Sequence, residues 1–512
     1  MHIIPPISSA FNVLHRQIKV MTSYLHAPEA HETAIKNPAF RGGPFLNIDR
    51  SNLDLIAKML IETENKSNFQ AKFVEGVKYL DRLLFDAGRG HSLETLYEQI
   101  PDILAGFVEL YYDRHHRPDF RFFEELLYDT PLYDENEQSV QLQQFSGNTS
   151  RPFVFSTPTL PKNGSVCINL PFRSRAYDDL FRMKEVPGSI DKISQLLQIP
   201  DLKVSDFESF FTVEPPKEKS SYNSHEARIR YFGHACILIE AAGKSILVDP
   251  FISYEGDDSL FKFTFKDLPD VIDAVLITHG HHDHVMLETL IQLRHKVKAI
   301  YIPRNLAGSI QDPSIALLLT RNGFANVNEI RDFDFIDFLP MRITAIPFLG
   351  EHHDLHIASK LCYHIAINDK SVMVAADSCN FGHKVYERVR ERLGKIDAIF
   401  IGMECDGAPA SWFYGPIFTI PPERAGDRSR RGRGSNCKEA LALIELFDCN
   451  QVFIYAMGSE PWVQYILDVK YNDQSNPIIQ SNELIQHCQQ QGRFAERLFG
   501  SKEIVVQKKA KK

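Results

Sequence analysis

The sequence predicts an α+β protein: an αββα sandwich, two sheets held between layers of helices, preceded by a helix-rich, mixed α/β amino-terminal domain. Three observations predict it. A polar, proline-led stretch without periodicity, residues 213–227 around Pro215-Pro216, divides the chain into residues 1–222 and 223–512. Before it, apolar residues recur at helical spacing. After it, strands come first as hairpins and then alternate with helices, which suits two packed sheets better than one doubly wound sheet. A chain of 512 residues is also too long for one ordinary core, so two domains are expected.

The elements follow in order. Phe73, Val77, Leu80, Leu83 and Leu84 share one helical face. Residues 92–113 continue the helical pattern less cleanly, interrupted by Pro101, and residues 113–133 are rich in aromatics, Arg and His. Past the linker, residues 228–232 and 236–240 read as strands, and Ala242-Gly243 turns the chain into a third at 246–249. Further strands are expected at 274–278, 299–302, 342–347, 361–367, 372–377, 398–403 and 451–457. Helices are expected at 286–296, 315–321, 384–393 and 437–447. The lysine-rich end, 508–512, reads as a solvated tail.

Composition narrows the function classes. The chain is 44% hydrophobic and 24% charged, so there is ample material for a core. Its 57 basic residues against 66 acidic ones give a formal charge of −9, which argues against nucleic acid as the main partner. Eight scattered cysteines, with no CxxC pair, suit free thiols in a reducing cytoplasm better than a disulfide framework. Pro5, Pro6, His15, Arg16 and Lys19 break up the first 28 residues, so no signal peptide is expected. No run approaches the ~18 apolar residues of a membrane helix. The expectation is a cytoplasmic protein with neither a membrane nor a nucleic-acid partner.

The chemistry is carried by one contiguous motif. The apolar run Ala274-Val275-Leu276-Ile277-Thr278 leads straight into His279-Gly280-His281-His282-Asp283-His284. Strand ends present functional loops. Residues two apart point the same way as an extended chain leaves a sheet, so His279 and His281 can grip one metal ion. Asp283 and His284 turn into the following helix and can face a second ion, while His282 is expected to point away. A polar turn whose histidines merely happen to cluster is a poor account of four metal-capable side chains in six positions.

His-x-His-x-Asp-His after a Thr-ending strand resembles the signature of the metallo-β-lactamase superfamily. Gly233-His234-Ala235-Cys236 and Leu247-Val248-Asp249-Pro250 fit its first motif. The resemblance implies that Asp249 supports the site from behind the ligands. It implies that Asp377, in Ala375-Ala376-Asp377-Ser378, bridges two metals. It also implies a third ligand from Glu351-His352-His353, where a histidine is usual. His234 is left unassigned, since a lone histidine there is more often packed or hydrogen-bonded than a ligand.

Longer stretches resemble a narrower family, the diiron β-hydroxylases typified by the oxygenase of chloramphenicol biosynthesis. They are Arg230-Tyr231-Phe232-Gly233-His234-Ala235, Gly350-Glu351-His352, the segment from Gly402-Met403-Glu404-Cys405 to Asp406-Gly407-Ala408-Pro409, and Tyr455-Ala456-Met457-Gly458-Ser459-Glu460-Pro461-Trp462. This resemblance implies two iron ions with O₂ as co-substrate. It implies hydroxylation of an aminoacyl group held on a carrier domain of a nonribosomal peptide synthetase. It further implies a homodimer whose amino-terminal domain mediates dimerisation and presents the substrate. It puts Glu351 in the place of the third histidine, with His352 as the fallback. The implied ligand set is His279, His281 and Glu351 on one ion, Asp283 and His284 on the other, and Asp377 between them. Asp283, Glu351 and Asp377 are then the carboxylates at the reaction centre. The competing reading is a zinc-dependent hydrolase of the same fold, cleaving an ester, thioester or amide. Against it, no histidine occurs between His383 and His487, and Gly458-Ser459-Glu460 stands where such hydrolases carry a further histidine ligand. Three histidines with three carboxylates suit iron better than zinc.

Other features carry less. Arg424, Arg428, Arg430, Arg431 and Arg433 form a basic run that either docks an acidic carrier domain or is a solvated loop. Trp412 and Tyr414 either line a substrate pocket or pack, and Glu404 and Asp406 are candidates for handling protons. His115-His116 reads as structural.

Overall fold

The computed structural model describes residues 4–506 apart from 41, 88–89, 145–150, 152, 155–156, 161, 217–220 and 257–259. The lysine-rich tail and residues 217–220 of the linker therefore lie outside the described residues. Two seven-stranded sheets dominate the carboxy-terminal part. The first runs, edge to edge, Val327–Ile330, Ile300–Pro303, Ala274–Leu276, Lys244–Val248, Cys236–Ala241, Arg228–Gly233 and Lys502–Ile504. The second runs Phe335–Phe338, Met341–Pro347, Leu361–Ile367, Lys370–Val374, Ala398–Gly402, Gln451–Tyr455 and Phe494–Arg497. In each, antiparallel hairpins give way to parallel pairs, the order in which hairpins and alternating elements appear along the chain.

Alternation explains the sandwich. Successive side chains of a strand point to opposite faces. Ile229, Tyr231, Ile237, Ile239, Ile246 and Val248 of the first sheet meet Ile343, Tyr363, Ile365, Val372, Val374 and Phe400 of the second in one shared core. The intervening Phe232, Leu238, Leu247 and Val275 face outward into a layer formed by the helices Leu287–Leu293 and Ile315–Arg321. That layer also takes in Val166, Tyr177, Leu180 and Phe207, so residues 166–207 share a core with the first sheet. The outer face of the second sheet, including Met373, Ile399, Ile401 and Ile454, is covered by the helices His383–Leu393, Cys437–Leu446 and Asn476–Gln490. The two-sheet sandwich is the fold class the sequence predicts.

Residues 7–132 contribute a further core, in which Phe11, Phe73, Val77, Leu80, Leu104 and Phe122 are buried together. The helix expected around 73–84 spans Asn68–Asp86. The helical reading of residues 92–113 is corrected: Glu94–Gln99 is a 3₁₀ turn and Val108–Tyr112 is a strand paired with Pro118–Phe122. Pro101 ends the helical hydrogen bonding, and from Val108 onward buried and less buried residues alternate with the two-residue period of a strand. His115 and His116 sit exposed in the turn of that hairpin.

Arg294 ties residues 172–178 to the carboxy-terminal part. Its guanidinium donates to Asp178 Oδ1 at 2.7 Å and to the carbonyls of Phe172, Ser174 and Asn322 at 2.7–2.8 Å.

Candidate metal centre

The chain leaves the strand Ala274–Leu276 at Ile277-Thr278 and brings His279, His281, Asp283 and His284 together, the three histidines buried. The two sheets touch at this point. Leu361 N donates to Thr278 O at 2.7 Å, and the Tyr363 hydroxyl donates to Ile277 O at 2.6 Å. The loop ends of the second sheet therefore reach the same place. Glu351 and His352 arrive after Met341–Pro347, and Asp377 arrives after Lys370–Val374.

Three overlapping sets of donors result: His279, His281, Glu351 and His352; His279, His284 and Asp377; and His234, Asp283 and His284. Within each set the ligating atoms lie within 4.8 Å of one another. His284 Nε2 is 3.1 Å from Asp377 Oδ2 and 3.5 Å from Asp283 Oδ2. The two Glu351 oxygens lie 2.8 Å from His281 Nδ1 and 2.8 Å from His352 Nδ1. The other ring nitrogen of each loop histidine is held from outside: His279 Nδ1 by Thr278 Oγ1 at 3.0 Å, His284 Nδ1 by Asp249 Oδ2 at 2.8 Å, and His281 Nε2 by the Tyr414 hydroxyl at 3.4 Å. Metal-binding histidines are oriented in this way. The inward atoms His279 Nε2, His284 Nε2, His352 Nε2 and Asp377 Oδ1 are buried without a hydrogen-bond partner. Buried lone pairs left unpaired are costly, and lone pairs converging from imidazoles and carboxylates fit metal ions.

Charge is arranged to match. Burial alone would raise the Glu351 and Asp283 carboxyls, but His281 and His352 beside the first, and His284 and His234 beside the second, hold both well below the usual carboxylate range. Burial, reinforced by His284 and His281, pushes His279 well down, so its imidazole stays neutral with a lone pair to give. For His284, burial is outweighed by Asp283, Asp249 and Asp377, and its basicity rises.

The backbone at the site is constrained. His234, Asp249, Glu351 and Ala376 all have left-handed backbones, with φ of 51°, 42°, 69° and 46°, at roughly 1–2 kcal/mol each for an L-residue. Such strain gathers where side chains must be aimed. Two glycines make room. A Cβ on Gly402 would stand 2.6 Å from Asp377 Oδ1, and one on Gly432 would stand 2.4 Å from His353 Cε1 and 2.8 Å from Glu351 O.

Sequence reasoning left His234 unassigned; its Nε2 lies 2.9 Å from Asp283 Oδ2. Its place in the Gly-His-Ala motif was the available signal. Asp249 accepts from Thr278 N at 2.8 Å and from Thr278 Oγ1 at 2.6 Å while facing His284. Tyr414 is buried beside His281, and Phe413 stacks on the His281 ring at 5.6 Å between centroids. Three arginines of the basic run brace the fold. Arg430 donates to His353 O, Arg431 to Asp406 O, and Arg433 makes a two-pronged bond to Glu439. Glu404 accepts from Gly407 N at 2.8 Å, and burial, with Asp406 and Asp377 nearby, pushes its carboxyl up to about 8.

Fold and donors define a class: a dinuclear metalloprotein built on an αββα sandwich. Residues 1–215 match the family profile of the diiron non-heme β-hydroxylase amino-terminal domain, and residues 228–373 match that of the β-lactamase superfamily domain. The 4-amino-L-phenylalanyl-[CmlP-peptidyl-carrier-protein] 3-hydroxylase of Streptomyces venezuelae is 34% identical over 504 residues, 97% of this chain and 94% of that one. The crystal structure of CmlA, a diiron β-hydroxylase from Streptomyces venezuelae, superposes with a TM-score of 0.91 at 34% identity, covering 99% of this chain and 95% of that one. A UPF0173 metal-dependent hydrolase of Lysinibacillus sphaericus is 41% identical, but only over 83 residues, 16% of this chain and 34% of its own. The chain belongs to the diiron non-heme β-hydroxylase family.

Proposed function

We propose that this protein is an O₂-dependent diiron monooxygenase that hydroxylates the β-carbon of an aminoacyl group held on a carrier domain of a nonribosomal peptide synthetase. The observation that carries the reading is the donor set: three loop histidines meet three carboxylates from both sheets, in a chain similar along its whole length to a carrier-protein 3-hydroxylase. In this reading His279, His281 and Glu351 would hold one iron and Asp283 and His284 the other, with Asp377 placed to serve both; bound iron would supply the binding and reductive activation of O₂. The protein's own groups do the rest. Asp249 fixes the His284 ring, and His234 engages Asp283 Oδ2 and holds that carboxylate in place. Glu404, protonated up to about pH 8, holds a proton next to Asp377.

We take residues 1–222 as a dimerisation and substrate-presenting domain and 223–512 as the metal domain, supported by the separate profile matches at 1–215 and 228–373. Exposed Leu55, Ile61, Tyr79 and Phe85 on the helices Leu53–Lys66 and Asn68–Asp86 support an interface between two copies; light scattering on the full chain checks it. Eight free thiols, seven of them buried, support a reducing cytoplasm as the site of action. Among the described residues no helix is long and apolar enough to cross a membrane.

The test is metal content with Mössbauer spectra, followed by mass spectrometry of an aminoacyl-loaded carrier domain. Iron at both positions and gain of one oxygen atom by the acyl group are expected. Zinc at both positions, with cleavage of the thioester and no added oxygen, would replace this reading with the hydrolase. Glu351→Ala is expected to lose one iron and His352→Ala to keep both; the reverse would transfer the ligand role to His352.

A further inference from the structure

One connection between the amino-terminal domain and the metal centre is a strap. Residues 410–417, made of a helical turn Ala410–Phe413 and a 3₁₀ turn Gly415–Ile417, have the metal site on one side and the amino-terminal core on the other. Toward the metal, Phe413 stacks on the His281 ring and the Tyr414 hydroxyl meets His281 Nε2. His281 Nδ1 faces Glu351, so Nε2 is the nitrogen left for a supporting partner. Toward the amino terminus, Ile417 packs against the core formed by Phe11, Phe73 and Val77.

The amino-terminal grip comes from an irregular spot. The helices Pro6–Asn12 and Ile18–His26 are joined by one π-helical turn, Val13–Gln17. Such turns redirect side chains and recur at functional positions. This one carries His15 and Arg16. The Arg16 guanidinium donates to Trp412 O, and His15 Nδ1 lies 2.6 Å from Pro416 O. A carbonyl only accepts, so Nδ1 carries the hydrogen. Lys78 Nζ lies 2.8 Å from His15 Nε2 and, as an ammonium, only donates, so Nε2 is the acceptor. The tautomer is thereby fixed, and two carbonyls of the strap, Trp412 O and Pro416 O, are clamped by two adjacent residues far from it in sequence.

We propose that His15 and Arg16 are positioning residues for the metal centre: by clamping the strap at Trp412 and Pro416 they set Phe413 and Tyr414, and through them the ligating orientation of the His281 imidazole. The proposal rests on the reading of His281 as an iron ligand. It assigns the amino-terminal domain a part in tuning the irons that does not depend on contact with substrate.

The test uses full-length, iron-loaded protein. His15→Ala with Arg16→Ala is expected to keep both irons while changing the quadrupole doublet of one of them, and to lower kcat about tenfold, the usual scale for loss of an outer partner of a metal ligand. His15→Ala alone is expected to alter the same doublet, and His15→Asn, whose amide nitrogen can take the place of Nδ1 and donate to Pro416 O, to keep the spectrum of the parent. If the double variant fails to fold, Tyr414→Phe, which removes only the hydroxyl, decides: a changed doublet supports the proposal. An unchanged doublet in folded, fully loaded His15→Ala/Arg16→Ala or in Tyr414→Phe overturns it. His281→Ala separates the two readings, because retention of both irons with an unaltered spectrum there would remove His281 from the ligand set itself.

Discussion

Asp249 never turns a free oxygen to the centre of the site, yet three hydrogen bonds converge on it. It receives Thr278 N and Thr278 Oγ1 and faces His284 Nδ1, from a backbone held at φ 42°. Removing it frees the His284 ring to rotate and strips a negative neighbour from that imidazole. Asp249→Ala is therefore expected to weaken iron binding by about 10–100-fold while leaving the sandwich folded, as a chelator titration followed by the optical band of the oxidised protein would measure. His234 shows the other side of residue-scale design. Its partner Asp283 is 49 positions away, and only the three-dimensional meeting of hairpin and loop gives it a role.

At the scale of elements, the contact between the amino-terminal hairpin and the metal domain holds a pH-sensitive joint. Glu124, in the short helix Glu124–Leu127, accepts from the N–H of Ser314, the residue that caps the helix Ile315–Arg321, with both oxygens 3.1 Å away. Burial raises its carboxyl from 4.5 to about 7, and Asp312 adds to the rise against the pull of the Ser314 N–H. The folded value lies above the unfolded one, so the associated stability is complete below about pH 4.5 and is lost as pH rises through about 7. The full swing is about 3 kcal/mol. Glu124→Gln is expected to match the parent in urea melts at pH 5 and to exceed it at pH 8; equal pH dependence in the two proteins would contradict this. The elements differ in how legible they are in sequence. The loop 279–284 stands out because its donors are contiguous, and the strands of both sheets stand out because their alternation is regular. The edge strands Val327–Ile330 and Phe335–Phe338, half exposed and mixed in polarity, carry too weak a period to be seen. The same holds for the hairpin at 108–122, whose aromatics imitate a helical face. The clamp of His15 and Arg16 on residues about 400 positions later leaves no local pattern at all. Glu351 and Asp377 were reached through resemblance, since a lone acidic residue after a strand is more often a turn cap.

Across the whole molecule, stability rests in part on buried joints, of which Arg294 makes one. Arg294 directs its donors at Asp178 and three carbonyls, and when Arg294 is gone Asp178 is left with the more exposed Arg175. Arg294→Ala is expected to destabilise the protein by about 3 kcal/mol, the lower end for breaking a buried pair, read as a fall in the urea midpoint at unchanged slope. Because residues 166–207 share a core with the first sheet, that loss should appear in one cooperative transition and not as early release of the amino-terminal part. Separate transitions would show that the two parts melt independently.

The meeting of the two sheets at Thr278 and Leu361 has a consequence for how the protein ages in a cell. The donors arrive from opposite sheets, so iron held by them would act as a rivet through the sandwich, and a chain that lost it would keep unpaired lone pairs and crowded carboxylates at its own seam. Ligand binding to the folded form alone raises its stability by mass action, and local opening begins where cohesion is weakest. Chains made during iron shortage would fold, loosen first around 277–284, 348–353 and 375–379, and be degraded sooner than their loaded siblings. The amount of enzyme present would then follow the nutritional history of its host as much as the expression of its gene.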